Sequence, residues 1–187
     1  MSSITVLKSI LRYYLRYIVG SPLPFLSHQA FSEYIISESS RYEKYYIPPI
    51  GLKDKTVLDI GAEEGCTALF FFKHGAKKVV CIEPRPEAFA NLKKNAEALK
   101  WNAILINDIF KLEHLSLDVN FIKMNIEGYE ALILDQPIPK IPMVMEVHGL
   151  WLVDQFVKRG WHKASENNAT HCRVMLNNWG SGLGVKI

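Results

Sequence analysis

The sequence predicts an α/β domain built on a mostly parallel sheet. Three observations point there. An apolar run, Thr56–Ile60, holds one acid, Asp59, and leads into a glycine turn, Gly61-Ala62-Glu63-Glu64-Gly65, before a helical stretch. A second apolar run, Lys78–Ile82, ends in another acid, Glu83, about 20 residues on, which is the spacing a βαβ unit uses to hold a ribose. From there strand-like and helix-like stretches alternate through most of the chain.

Each element has a local reason. Thr56–Ile60 is the first strand. Cys66–His74 is helical, and Gly75 closes it because a left-handed cap favours glycine. Lys78–Ile82 is the second strand. Pro86 opens the next helix where its missing N–H costs nothing, and Phe89, Leu92, Ala96 and Leu99 form that helix's apolar stripe. Ala103–Asn107 is the third strand, with Asp108 at its end. Val119–Met124 is the fourth, with Asn125 at its tip, and Tyr129–Leu134 is a short helix. Pro142–His148 is apolar almost throughout, so it is expected in the middle of the sheet. Leu150–Arg159 is a helix closed by Gly160. Trp161–Ser165 and His171–Leu176 flank the polar run Glu166-Asn167-Asn168-Ala169 and predict a terminal hairpin.

Upstream, residues 4–19 have helical period, with Ile4, Leu7, Leu11, Tyr14, Leu15 and Ile18 on one face and Lys8, Arg12 and Arg16 along its edge. Gly20-Ser21-Pro22 and Pro24 end this stretch, and a weaker helical pattern covers residues 27–40. Pro48-Pro49 and Gly51 read as a linker, so residues 1–50 are expected to be a helical arm and residues 51–187 the cofactor-binding domain. The arm either packs on the body, caps the substrate, or lies on a membrane surface as a peripheral contact. The three cations interrupt it too often for a membrane span, and no small-residue cleavage site follows it.

With 187 residues the chain suits one domain, and a net charge of +3 does not by itself argue for nucleic acid. Cys66, Cys81 and Cys172 form no CxxC pair and no cluster with histidine at zinc spacing, which points to a reducing, cytoplasmic setting and to no metal. Asn168-Ala169-Thr170 matches a glycosylation tripeptide of the kind that arises by chance.

The turn chemistry narrows the cofactor. Gly61 and Gly65 are expected to let the backbone approach a ligand where a Cβ would intrude. Position 63, where a dinucleotide fingerprint has its second glycine, is Glu, and Glu64 follows. Two carboxylates are poor company for a diphosphate. They suit a cofactor with a cationic end and no phosphate, such as S-adenosylmethionine.

Three segments, Asp59–Gly65 (DIGAEEG), Glu83–Pro86 (EPRP) and Ile122–Glu130 (IKMNIEGYE), together resemble the FkbM-type methyltransferases over roughly residues 51–187. The third segment is the most specific. The resemblance implies a Rossmann-like class I methyltransferase fold with a seven-stranded sheet, S-adenosylmethionine as methyl donor, and transfer to a hydroxyl of a small molecule, sugar or glycan. Asn125 stands where that family usually has Asp, and Asn cannot act as a base. The acidic pair Glu63-Glu64 also departs from the family pattern.

Strand tips are where ligands sit in open α/β sheets, so the candidates cluster there. For the cofactor these are Asp59 (ordering the turn and facing the methionine ammonium), Gly61, Ala62, Gly65, Glu83 on the ribose diol, Pro84, Asn107, and Asp108 on the adenine amine as the resemblance to S-adenosylmethionine folds implies. For catalysis they are Glu127 as the first candidate for acceptor orientation or proton removal, His148 as an alternative base, and Asn125. Glu130 and Glu146 are expected on the substrate, Glu146 and His148 sharing one side of their strand. The main expectation is O-methylation of a small molecule or glycan. The alternatives are a nucleic-acid methyltransferase on the same fold, supported by the arm's cations and the tyrosines at 42–46, and a non-catalytic S-adenosylmethionine-binding protein, which Asn125 would permit. The oligomeric state is left open.

Overall fold

A computed structural model describes residues 42–165 and 173–180. The helical expectations for residues 4–19 and 27–40, and the polar turn at 166–169, lie outside the described residues.

A short helix, α1 (Tyr42–Tyr46), precedes the sheet. There follow β1 (Thr56–Ile60), α2 (Cys66–Lys73), β2 (Lys78–Ile82), α3 (Pro86–Ala98), β3 (Ala103–Ile106), β4 (Phe121–Met124), β5 (Met143–His148), α4 (Leu150–Lys158), β6 (His162–Lys163) and β7 (Arg173–Asn177). Short 3₁₀ helices, Leu112–Ser116 and Tyr129–Ile133, follow β3 and precede β5. The seven strands form one sheet in the order β3-β2-β1-β4-β5-β7-β6. The first five run parallel, and β7 joins β5 antiparallel and pairs with β6. The terminal hairpin is therefore present, with β7 inserted between β5 and β6.

Burial on both faces explains the strand composition. One core holds Leu58, Ile60, Ile82, Ile122, Met124, Met145 and Val147 against Leu152, Val153 and Phe156 of α4. The other holds Val57, Val79, Phe121 and Val144 against Phe70 and Phe71 of α2 and Leu92 of α3. Adjacent strand residues serve opposite cores, as the pleat requires, and β1, β2 and β4 are consequently near-continuous apolar runs.

The order reverses at β1, with β2 on one side and β4 on the other. That switch opens a crevice above the carboxyl ends of the strands. α1 packs at the edge of this crevice: Tyr46 is buried, and its ring centroid lies 6.5 Å from that of Phe70 and 6.4 Å from that of Phe71. Tyr42 and Tyr46 thus join the same apolar cluster as Leu52. Among the described residues no helix is long and apolar enough to cross a membrane.

Candidate active site

The crevice is a cleft of about 470 Å³ lined by Ile60 at the end of β1, Gly61 and Glu63 after it, Glu83, Pro84 and Arg85 after β2, Ile109 and Phe110 after β3, and Asn125, Glu127 and Tyr129 after β4. That volume falls in the range of small-molecule sites. Beside it, a small recess is lined by Tyr42, Tyr46, Gly61, Ala62, Thr67, Lys123 and Asn125, so α1 reaches the glycine turn.

Glu83 is buried at the tip of β2 and faces the cleft. One carboxylate oxygen accepts from the Glu63 backbone N–H at 2.9 Å, and the other from the Arg85 backbone N–H at 2.9 Å and Arg85 Nε at 3.0 Å. A carboxylate has about four acceptor positions, so one is open here, and a second for a diol opens only when the Arg85 side chain lets go. The half-exposed Arg85 side chain, which also reaches Glu63 at 3.2 Å, is the group a ligand would move. Asn107 pins the tips of β2 and β3 by donating to the Glu83 carbonyl at 2.8 Å.

The glycines are also tied into the fold itself. A Cβ on Gly61, at φ 76°, would fall 1.8 Å from the Asn125 carbonyl oxygen. The turn after β1 therefore closes onto the tip of β4, and only glycine permits that contact. Gly65, at φ 101°, is packed under the Trp101 ring and Leu92. Both glycines are required by internal packing, although Gly61 also lines the cleft.

Asp59 is completely buried, and its charge is met from inside. Lys123 Nζ lies 2.8 Å from one carboxylate oxygen, and the Thr67 hydroxyl donates to the other. Lys123 also donates to the Gly61 carbonyl at 2.7 Å and, weakly, to that of Ile60 at 3.4 Å. Burial pulls the Lys123 pKa down, but the Asp59 carboxylate outweighs it and holds the ammonium charged well above its usual range. The same burial, together with Asp59, pushes the Cys81 thiol up. Asp59 thus orders the glycine turn through Lys123, and ordering was half of its expected role. The ammonium-facing half finds the carboxylate already engaged.

Lys123 was missed in the sequence. A signal existed: Asp59 and Lys123 are opposite charges inside otherwise apolar runs, and they are register partners across β1 and β4.

Asp108 does not line the cleft. Its carboxylate caps the Ile109 backbone N–H at 2.8 Å and pairs with Lys111, whose hydrogen bond lowers the Asp108 pKa. The next two residues, Ile109 and Phe110, form the apolar wall instead.

Behind the β4 side of the cleft lies a polar cluster. The Asn125 amide donates to Glu146 at 3.0 Å. Glu130, completely buried, accepts from the Ile126 and Gly128 backbone N–H groups at 3.2 and 3.3 Å, and His148 Nδ1 stands 3.1 Å from the same oxygen. His148 Nε2 is 3.4 Å from Glu127, an ion-pair distance without a directed hydrogen bond. Burial alone would lower the His148 pKa. The hydrogen bond and charge of Glu130, with Glu127 and Glu146, reverse that and raise it above 6.5. Asn125 Oδ1, Glu130 Oε2 and His148 Nε2 are buried without a hydrogen-bond partner among the described residues. Such orphaned atoms in one cluster are what a bound polar group would satisfy.

Glu127 and Glu63 share a further property. Both carry positive φ, 54° and 49°, and both line the cleft. A non-glycine residue held there is strained, and such strain concentrates at functional sites.

No family model matches the sequence, and no curated protein matches it. Solved structures share the fold. The ribosomal protein L11 methylase of Lactobacillus delbrueckii subsp. bulgaricus superposes with a TM-score of 0.52 at 18% identity, over 82% of this chain and 79% of that one. The tRNA m1G37 methyltransferase of M. jannaschii gives 0.53 at 18% identity, over 77% of this chain and 48% of that one. TYW2 of M. jannaschii, solved in complex with AdoMet, gives 0.50 at 16% identity, over 75% and 73%. At these identities the likeness is one of fold, and the fold is the Rossmann-like one of class I methyltransferases. It does not single out the FkbM-type family.

Proposed function

We propose that this chain is an S-adenosylmethionine-dependent methyltransferase. The observation that carries the reading is the meeting of three strand tips in one cleft: the Gly61 turn, the buried Glu83 carboxylate and the Asn125–Tyr129 segment. Glu83 would hold the ribose hydroxyls, Phe110 and Ile109 would flank the adenine, and the amino-acid end would lie along the Gly61 turn. The donor set fits the group: Glu63 and Glu127 bring negative charge to the cleft, which suits a sulfonium and disfavours a diphosphate. AdoMet in complex with TYW2, a protein of the same fold, supports the same choice.

When bound, the cofactor supplies an activated methyl group, so the protein's work is alignment and exclusion of water. Glu130 orients His148 through Nδ1, which turns Nε2 toward Glu127. A group that both donates and accepts hydrogen bonds would suit an unpartnered atom such as Asn125 Oδ1 or His148 Nε2. Asn125 then acts by orientation and not as a base, and proton removal falls to His148 or Glu127.

Two acceptor classes follow from different observations. The tRNA methyltransferase among the neighbours favours nucleic acid, and of the two classes the comparisons support this one better. The carboxylates Glu127, Glu130 and Glu146 around His148 favour an uncharged hydroxyl on a small molecule or glycan, as does the resemblance of Ile122–Glu130 to the FkbM-type enzymes. The deciding experiment incubates the full chain with methyl-labelled S-adenosylmethionine and separated RNA, glycan and lipid fractions. Label in RNA, lost on nuclease treatment, establishes the first class. Nuclease-resistant, alkali-stable label in the other fractions establishes the second. Calorimetry that finds no S-adenosylmethionine binding at all overturns the whole reading.

A further inference from the structure

The cleft has two candidate bases on its β4 side, and their placement separates them. Glu127 lines the cleft, with its side chain 63% exposed. His148 stands behind that wall. It is not among the lining residues, its side chain is 15% exposed, and Nε2 is buried. That nitrogen lies 3.4 Å from a Glu127 carboxylate oxygen. A ligand in the cleft therefore meets Glu127, and the imidazole acts on the ligand through it.

A third residue holds both. Glu130 is completely buried in the 3₁₀ helix Tyr129–Ile133. Its Oε1 lies 3.1 Å from His148 Nδ1 and accepts from the backbone N–H groups of Ile126 and Gly128 at 3.2 and 3.3 Å. Those two residues flank Glu127. One buried oxygen thus grips the backbone on both sides of Glu127 and orients the imidazole that faces its carboxylate. The grip explains how Glu127 keeps φ 54°, a conformation that side chains rarely adopt. A glycine would make the same turn without strain, so what glutamate adds at this position is its carboxylate.

The imidazole holds Glu127 only when charged. An imidazolium donates from both nitrogens. With Nδ1–H on Glu130, a neutral ring would turn the Nε2 lone pair on the Glu127 carboxylate, and the two acceptors would part. Burial disfavours the charged ring, and Glu130, Glu127 and Glu146 around it outweigh burial. The register partner of His148 on β7 is Arg173. We propose that Glu127 is the catalytic residue that accepts the proton of the methyl acceptor, while Glu130 and His148 are positioning residues that aim its carboxylate into the cleft. This role rests on the methyl-transfer reading and decides between the two bases left open there. The acceptor's O–H or N–H bond gives its proton to a Glu127 oxygen, its electron pair bonds the methyl carbon, and the C–S pair returns to sulfur.

The test follows label from saturating methyl-labelled S-adenosylmethionine into whichever of the RNA, glycan or lipid fractions takes it up, using the full chain. Glu127→Gln should lower the rate about 100-fold or more. His148→Gln keeps the carboxylate and loses its hold, and should lower the rate about tenfold. Added to Glu127→Gln, it should lower the rate little further, because both act through one group. The imidazole titration of His148 is followed by NMR in the unsubstituted protein. As pH rises through it, the rate of the unsubstituted protein relative to His148→Gln should fall toward one. A residue that only supports the fold would not move that ratio. Glu127→Gln changes an exposed side chain, and unchanged circular-dichroism melting verifies its folding, so this variant decides the matter even where a buried one does not fold. Three results would overturn the assignment. One is a rate ratio that rises across the His148 titration, which would make the imidazole the base. Another is Glu127→Gln transferring at the unsubstituted rate. The third is a loss from His148→Gln that is as large without the Glu127 carboxylate as with it. Each of these removes the role of Glu127 and leaves methyl transfer standing. A protein that binds no S-adenosylmethionine, or labels no fraction, removes both.

Discussion

The place of Glu83 at a cleft-lining strand tip was legible because a carboxylate ending an apolar strand, about 20 residues past a glycine turn, has few structural uses. Its surroundings now give its substitution a defined consequence. Glu83→Gln keeps an acceptor for the Glu63 N–H but loses the charge that draws in Arg85 and would bind two hydroxyls. Calorimetry should show S-adenosylmethionine affinity falling about 10- to 100-fold, the worth of a charge-assisted hydrogen bond. Unchanged affinity would remove the ribose assignment. His148 is the other informative residue. Its folded pKa is raised, first against burial and then by Glu130, Glu127 and Glu146. The imidazolium therefore stabilises the fold fully below the unfolded pKa of about 6.5, and the contribution is lost as pH rises through the higher folded value. Melting temperatures of the unsubstituted protein and His148→Gln should differ most at acid pH and converge at alkaline pH. If His148 also takes the acceptor's proton, kcat rises across the same window in which that stability is lost. Less legible was Asp108, whose sequence position resembles a ligand-binding tip. Its carboxylate is used locally by Ile109 and Lys111, and nothing in a single sequence separates a cap from a ligand.

At the scale of elements, strands buried on both faces were easy to read, since β1, β2 and β5 announce themselves as apolar runs bounded by turns. Short segments were not. The stretch after Gly128 reads as a helical turn, and it forms a 3₁₀ helix over Tyr129–Ile133, where five residues do not establish an α-helical register. The joint between β1 and β4 was hidden for a different reason: it depends on which strands are neighbours. Asp59 and Lys123 each look anomalous alone and become a pair only when the register sets them side by side. This pair governs a prediction. Lys123→Met leaves a fully buried carboxylate without its cation and should cost about 3–5 kcal/mol in denaturant unfolding. Asp59→Asn/Lys123→Met removes both charges and should cost clearly less. Equal losses in the two variants would mean that the ion pair is not what holds the Gly61 turn against Asn125.

For the whole molecule, the sheet order brings segments far apart in sequence to one crevice, and a ligand there would bridge β1, β2 and β4. Such a bridge acts on global stability, because the contacts exist only when all three tips are in place. A ligand bound only to the folded state adds RT ln(1 + [L]/Kd), about 2.7 kcal/mol at a hundredfold excess over Kd. For a domain of this size that is a rise in melting temperature of about 5–10 °C. The contacts expected at Glu83 and the Gly61 turn do not involve the methyl group, so S-adenosylhomocysteine should stabilise too, though less than S-adenosylmethionine, whose sulfonium the Glu63 and Glu127 carboxylates favour. A dinucleotide such as NAD should not, because Glu63 and Glu64 stand in the turn where its diphosphate would lie. Thermal melts with the three ligands at matched concentrations separate these cases. Stabilisation by NAD with none from the sulfonium or its demethylated product would reassign the crevice. Stabilisation by the product that is abolished in Glu83→Gln, with the variant's own melting unchanged, would connect one carboxylate to the behaviour of the entire fold.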